Sequence, residues 1–316
     1  MQLIEEEQRL KPGSRADHYI GDLTGINPGP TIIAMAGIHG NEATGVSAVA
    51  RIMELLEPHQ EKLNGRVLGL KGNIAALKLG RRFVDEDMNR LWRTSLLDKI
   101  RRTESHQLPT IDRVEVKKVL QILDPIMLSG EEVIYVDLHT FSGSGGMFII
   151  AAGEESESEF LSALEVPQVF GIDKSLQGTS MDYAEHAGKF GFAFEAGSHG
   201  SDDAEENAFI GLSILLVNLG VISKEIIPDF DQKVASLKEK VKDFPKKVEY
   251  LYKHIVEEGD NFVMNPGFKN FDKVKEGDWL ASDINGKILA LSDGFLLMPL
   301  YQEQGNDGFF IVRECE

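Results

Sequence analysis

Five short apolar runs constrain this chain most: PTIIAMAG (Pro30–Gly37), RVLGLKG (Arg66–Gly72), EEVIYVDLHT (Glu131–Thr140), GMFIIAAG (Gly146–Gly153) and FGFAFEAG (Phe190–Gly197). Each is closed by glycine or by polar side chains. Runs of this length without a polar face belong in the middle of a sheet covered on both sides. Helical patterns lie between them. NEATGVSAVARIMELLEP can place Ala43, Val46, Ala50, Met53 and Leu56 on one face, and Pro58 ends it. NIAALKLG, Thr110–Leu123, SESEFLSALE, TSMDYAEHAGK and DAEENAFIGLSILLVNLGVI also read as helices, the last ending near Gly220. Strands alternating with helices predict an α/β fold: a mixed, largely parallel central sheet flanked by helices. The pattern changes after Ile226. A charged helix, KVASLKEKVKDF, precedes short strands with glycine turns at Asp283–Gly286 and Asp293–Gly294. The expected organisation is a main domain over residues 1–225 and a small C-terminal all-β domain over 226–316.

The net charge of −18 on 316 residues repels polyanions, so nucleic acid and an acidic membrane surface are not expected partners. A local arginine cluster still permits an anionic small molecule. No run approaches the ~18 apolar residues of a membrane span. The acidic start, MQLIEEEQRLKPG, lacks a leader's apolar run. The single cysteine, Cys315, allows no internal disulfide and suits a reducing compartment. A soluble cytoplasmic protein is expected.

Open α/β sheets place ligands at the carboxyl ends of their strands. His39 and Glu42 follow the first run, Asp137, His139 and Thr140 end the third, and Glu195 ends the fifth. Taken singly, each is as well read as a capping or core residue. Together they are the inventory of a catalytic zinc site, which takes three nitrogen or oxygen ligands and keeps one position open. His39, Glu42 and His139 supply the ligands. Glu195 is the candidate for moving protons, and Asp137 could hold a histidine ring from behind. Gly40 is expected to let the chain turn tightly between His39 and Glu42. In RRFVDEDMNR, Arg82, Asn89 and Arg90 could grip a carboxylate through charge-assisted bonds, and an arginine could stabilise an acyl oxyanion. A surface charge loop built on Asp85, Glu86 and Asp87 accounts for the same stretch equally well.

HGNE, RFVDEDMNR, DLH and FEAG, in that order, resemble the succinylglutamate desuccinylase/aspartoacylase family, the deacylase branch of the zinc carboxypeptidase-like fold. The resemblance covers roughly residues 25–220 and continues weakly into GDWLASDINGKILALSDGFLLMPLYQEQG. It implies a deacylase of N-acyl amino acids with one zinc ion per subunit, held by His39, Glu42 and His139. It further implies Glu195 as general base and acid, Arg82 on the oxyanion, and Asn89 and Arg90 on the amino-acid carboxylate. Tyr301 is implied as a substrate contact, and a homo-oligomer remains open. Aspartoacylases carry an arginine upstream of the catalytic glutamate that binds a second carboxylate. Here that stretch is MDYAEHAGKFGF, leaving only Lys189 and His186 as basic residues, with Glu185 opposing an acidic side chain.

Other readings compete. A carboxypeptidase of the same fold would use the same metal residues on peptides. AGSHG (Ala196–Gly200) is one residue from a serine nucleophile elbow, which would make Ser198 the nucleophile. A binding protein that keeps the fold would have lost one of the four central residues, and none is lost.

Overall fold

The structure, a computed structural model, describes residues 12–151 and 159–315. Its strands are β1 (Tyr19–Thr24), β2 (Asn27–Ala36), β3 (Asn64–Lys71), β4 (Val133–Phe141), β5 (Phe148–Ala151), β6 (Gln168–Phe170), β7 (Phe190–Ser198), β8 (Lys247–Ile255), β9 (Val263–Met264), β10 (Lys273–Val274), β11 (Trp279–Asp283), β12 (Gly286–Leu289), β13 (Gly294–Leu297) and β14 (Asp307–Glu314). Its α-helices are α1 (Ala43–Leu56), α2 (Ile74–Leu79), α3 (Thr94–Arg102), α4 (Ile111–Met127), α5 (Glu159–Ser162), α6 (Ser180–His186), α7 (Asp202–Asn218) and α8 (Phe230–Val241). The acidic N-terminal stretch and the first part of the SESEFLSALE helix lie outside the described residues. No described helix is long and apolar enough to cross a membrane.

The apolar runs are buried on both faces because successive side chains enter different cores. Ile32, Ala34 and Ala36 of β2 join Ala48, Ile52 and Leu56 of α1 and the apolar side of α7. Ile33 and Met35 join Val116, Leu120 and Leu123 of α4 on the other face. Each of the larger aliphatic side chains, taken out of water, contributes roughly 1.5–3 kcal/mol. The helix periodicity places the mate of each strand face, and the result is a helix–sheet–helix sandwich.

One mixed sheet of eleven strands runs β1-β3-β2-β4-β7-β5-β6-β8-β14-β13-β10. Pairing is parallel from β3 through β2 and β4 to β7, and again from β5 through β6 to β8. The remaining pairings are antiparallel. The C-terminal strands therefore continue the central sheet: β8 pairs with β6 and carries β14, β13 and β10 outward. Among the described residues, only β9, β11 and β12 form a separate antiparallel sheet, with the expected turn at Asp283–Gly286 joining β11 to β12. The expected boundary at 225/226 falls inside a 3-10 turn, Lys224–Ile226, ahead of α8.

The polar stretch 81–92 is held by one buried residue of α4. Asp112 is fully buried, and its carboxylate accepts from Asn73 Nδ2 (2.6 Å) and from the backbone N–H groups of Val84 (3.1 Å), Asp85 (2.7 Å) and Glu86 (3.0 Å). Removing a buried acceptor strands its donors without water. Asp112→Ala is expected to lower unfolding stability by at least about 2 kcal/mol, read from urea denaturation. A loss within experimental error would show that the stretch is not tied here.

Candidate functional site

His39 and Glu42 sit where β2 passes into α1. The chain leaves the strand through Gly37, whose φ of +66° suits glycine. Gly40 lies inside the expected tight turn, in which the Glu42 N–H donates to the His39 carbonyl (3.1 Å), although its φ is not positive. Its role is close approach: a Cβ there would lie 2.0 Å from the carbonyl carbon of Ala76 in α2. Glu42 occupies the N-cap position of α1 but makes no capping bond with its side chain. The carboxylate instead enters the site, 2% exposed. Its Oε1 pairs with His39 Nδ1 (2.7 Å), and its Oε2 with His139 Nδ1 (2.9 Å) and the Thr140 N–H (3.0 Å). Burial opposes the charge, yet the two imidazoles outweigh it and hold Glu42 well below the usual carboxylate range.

Each histidine is also held from behind. His39 Nε2 meets Asp87 Oδ1 at 3.1 Å, and His139 Nε2 meets Asp137 Oδ2 at 3.0 Å. Burial disfavours the His139 charge, but Asp137 and Glu42 raise it well above the usual imidazole range. Asp87 was hidden in the sequence by its acidic neighbours. The structure divides the three: Asp85 accepts from the Ile111 N–H and Glu86 pairs with Arg113, both on α4, whereas Asp87 turns inward. Asp87 also accepts from the Asn89 N–H (2.8 Å) and from Arg82 Nε (3.0 Å). Burial opposes its charge, and Arg82 and His39 hold it well below the usual range nonetheless.

The donor set fits a metal ion. Among the described residues, ligand atoms of His39, Glu42 and His139 lie within 4.8 Å of one another, and all three are buried. Two imidazoles and a carboxylate, each imidazole backed by an outer carboxylate, are a donor set suited to zinc and its first-row neighbours.

Glu195 faces this set from β7. It is the register partner of His139 on β4, 8% exposed, and its Oε2 has no hydrogen-bond partner. Burial pushes its carboxyl up to about 8; His139 and Arg82 pull it down and Glu42 adds to the rise. A buried acid free of partners can exchange a proton with whatever occupies the cleft.

The structure brings Arg82, Asn89 and Arg90 to the same cleft. Arg82 pairs with Asp87 and lies 3.6 Å from Glu42. Asn89 accepts from the Ser180 N–H (2.9 Å), with Nδ2 3.5 Å from His139. Arg90 donates to the Asn89 carbonyl (2.7 Å) and to Asp307 of β14 (2.5 Å). Tyr301 is not brought there. Its hydroxyl accepts from the Phe268 N–H (3.0 Å) and donates to the Asn265 carbonyl (2.7 Å), outside the cleft lining. Its backbone N–H does reach Ser142 Oγ (3.0 Å) on the cleft wall.

Residues 298–307 roof the cleft, and sequence reasoning found none of their other contacts. Gln302 Oε1 meets His199 Nε2 (3.1 Å) and Asn41 Nδ2 (2.7 Å), while His199 Nδ1 meets the Thr140 hydroxyl (2.7 Å). The backbone N–H of Thr140, not its hydroxyl, donates to Glu42. These residues lie in a stretch without periodicity, so no pattern announces them. No described side-chain bond joins Ser198 to a histidine; His199 turns away to Thr140 and Gln302, which removes support for a serine nucleophile.

Residues 28–210 match the family model described as succinylglutamate desuccinylase/aspartoacylase catalytic domain. The chain is 22% identical over 279 residues to a probable aspartoacylase of Nostoc sp., covering 85% of this chain and 90% of that protein. It is 24% identical over 268 residues to a succinylglutamate desuccinylase of Pseudomonas syringae pv. tomato, covering 81% and 74%. A crystal structure of a succinylglutamate desuccinylase/aspartoacylase from Rhodobacter sphaeroides superposes with a TM-score of 0.64 at 19% identity, covering 93% of this chain and 88% of that one.

The donor set predicts one tightly bound divalent ion per chain, measured by elemental analysis after dialysis. His139→Ala is expected to remove it. Asp87→Asn, which loosens the ring of His39 from behind, is expected to weaken binding by roughly 10–100-fold. Equal ion content in His139→Ala and the unaltered protein would refute the assignment.

Proposed function

The chain belongs to the succinylglutamate desuccinylase/aspartoacylase family, and we propose that it is a zinc-dependent amidohydrolase that removes the acyl group from small N-acyl amino acids in the cytoplasm. The observation that carries this reading is a buried three-donor set with a partner-free carboxylate on the adjacent strand.

His39, Glu42 and His139 would hold one zinc ion per subunit. When bound, the zinc supplies Lewis acidity to the attacking water and to the acyl oxygen. Glu195, ionised, accepts the proton that water loses on attack. It then delivers that proton to the amide nitrogen as the C–N bond breaks, so the amino acid leaves as a neutral amine. The Arg82 guanidinium, buried beside Glu42, stabilises negative charge on the acyl oxygen in the transition state. Asn89 and Arg90 orient the substrate through its α-carboxylate. Arg90 keeps donors beyond those given to Asn89 and Asp307, since a guanidinium carries five N–H groups. Tyr301 acts at one remove, by holding the roof against Ser142. The roof favours small amides over peptides, which need an open groove to either side of the scissile bond.

Glu195→Gln keeps the volume and removes the base. It is expected to lower kcat by roughly 10²–10⁴ on the best member of an N-acyl amino acid panel, with zinc content unchanged. Turnover at the unaltered rate would exclude Glu195 as the proton carrier. Removing the ion with a chelator is expected to abolish hydrolysis, and stoichiometric zinc to restore it; full activity in ion-free protein would sink the metal mechanism.

A further inference from the structure

The cleft has one wall that takes no part in the steps above. Phe141, Ile150, Leu176, Met181 and Ala193 all line it, and all belong to one contiguous apolar cluster. Ile150 on β5 and Ala193 on β7 are register partners. Ala193 lies two residues before Glu195, on the same face of the strand, so the apolar wall begins directly beside the proton carrier. Leu176 and Met181 close it from the segment leading into α6 and from α6 itself.

The positive charges of the cleft are few, and each already faces a carboxylate, with spare donors on Arg90 for one substrate carboxylate. Arg82 and Arg90 are the only lysine or arginine side chains in the lining of the described cleft. Arg82 faces Asp87 and Glu42, and Arg90 faces Asp307. Asp307 is also met by Lys253 at 2.9 Å. The basic residues upstream of Glu195 are engaged elsewhere. Lys189 Nζ donates to the carbonyls of Ser129 (2.9 Å) and Glu131 (2.5 Å), and His186 is exposed, bonded to the Asp182 carbonyl (2.5 Å). Among the described lining residues no further lysine or arginine remains for a second substrate carboxylate, and a carboxylate against the Leu176–Met181 wall would be desolvated without a partner.

Resting on the deacylase reading, we infer that the substrate is a monocarboxylate whose remaining arm is uncharged and apolar, seated on Leu176, Met181, Ile150 and Ala193. Arg90 and Asn89 take the single carboxylate. Substrates with more than one carboxylate, such as N-acetylaspartate with two and N-succinylglutamate with three, are excluded because the described cleft lining offers no further lysine or arginine.

The test compares kcat/KM of the zinc-loaded protein for N-acetyl-leucine and N-acetyl-methionine with that for N-acetyl-aspartate and N-succinyl-glutamate. The same amides are titrated calorimetrically into zinc-loaded Glu195→Gln. At least a 100-fold preference for the apolar pair in turnover, and the same order in binding, is expected. A substrate with more than one carboxylate turned over or bound as well as the apolar amides overturns the inference and leaves the deacylase reading standing. Apolar amides bound in preference but never hydrolysed overturn that reading and leave the subsite assignment in place. If no amide binds or reacts, both fall.

Discussion

A buried carboxylate must be surrounded by donors, and Glu42 is the point where that requirement organises the protein. Its two oxygens gather a histidine from the β2–α1 junction, a histidine and a backbone N–H from the end of β4, and an arginine from the loop after α2. The strands cannot shift register without breaking this set. Because side chains alternate with a period of two, a slip of one residue in β4 would send His139 to the opposite face and strand Glu42.

Two glutamates share the cleft and are driven in opposite directions. Glu42, enclosed by imidazoles, is held ionised far below its ordinary range, while Glu195, enclosed by apolar strands, is pushed to about 8. The same residue type is made a fixed charge in one place and a proton exchanger in the other by its surroundings alone. The difference follows from position. Glu42 opens a helix beside two histidines, whereas Glu195 lies within β7 between the buried Phe194 and Ala196 and keeps one oxygen bare.

The central strands and the four residues at their ends were readable from sequence because apolar runs stop abruptly at polar groups. His39, Glu42, His139 and Glu195 each stand at such a break. Elements with weaker contrast were not readable. β1 is half exposed, so its alternation is blurred; α3 is short and buries only Leu97 and Ile100; β6 has only three residues. Asp87 was masked by Asp85 and Glu86, which take the solvent-side and helix-side roles that an acidic loop suggests. Met181 was not singled out within the arginine-free stretch MDYAEHAGKFGF, since lining a cleft and filling a core look alike in a sequence. The continuity of the sheet was invisible as well. Short strands with glycine turns read as an independent β unit, and only the pairing of β6 with β8 shows that they extend the first sheet.

That pairing has a consequence for how the molecule protects itself. β6 is short and pairs on one side with β5, a fully buried apolar strand that itself pairs with β7, and β8 covers the other edge of β6. An unpaired edge beside such strands is a template for intermolecular pairing. The outward strands answer it with charge: Lys247, Glu249 and Lys253 lie on β8, and Arg313 and Glu314 on β14. Residues 298–307, which roof the cleft, lead from β13 into β14, so the strands that extend the sheet past β6 also hold the roof in place.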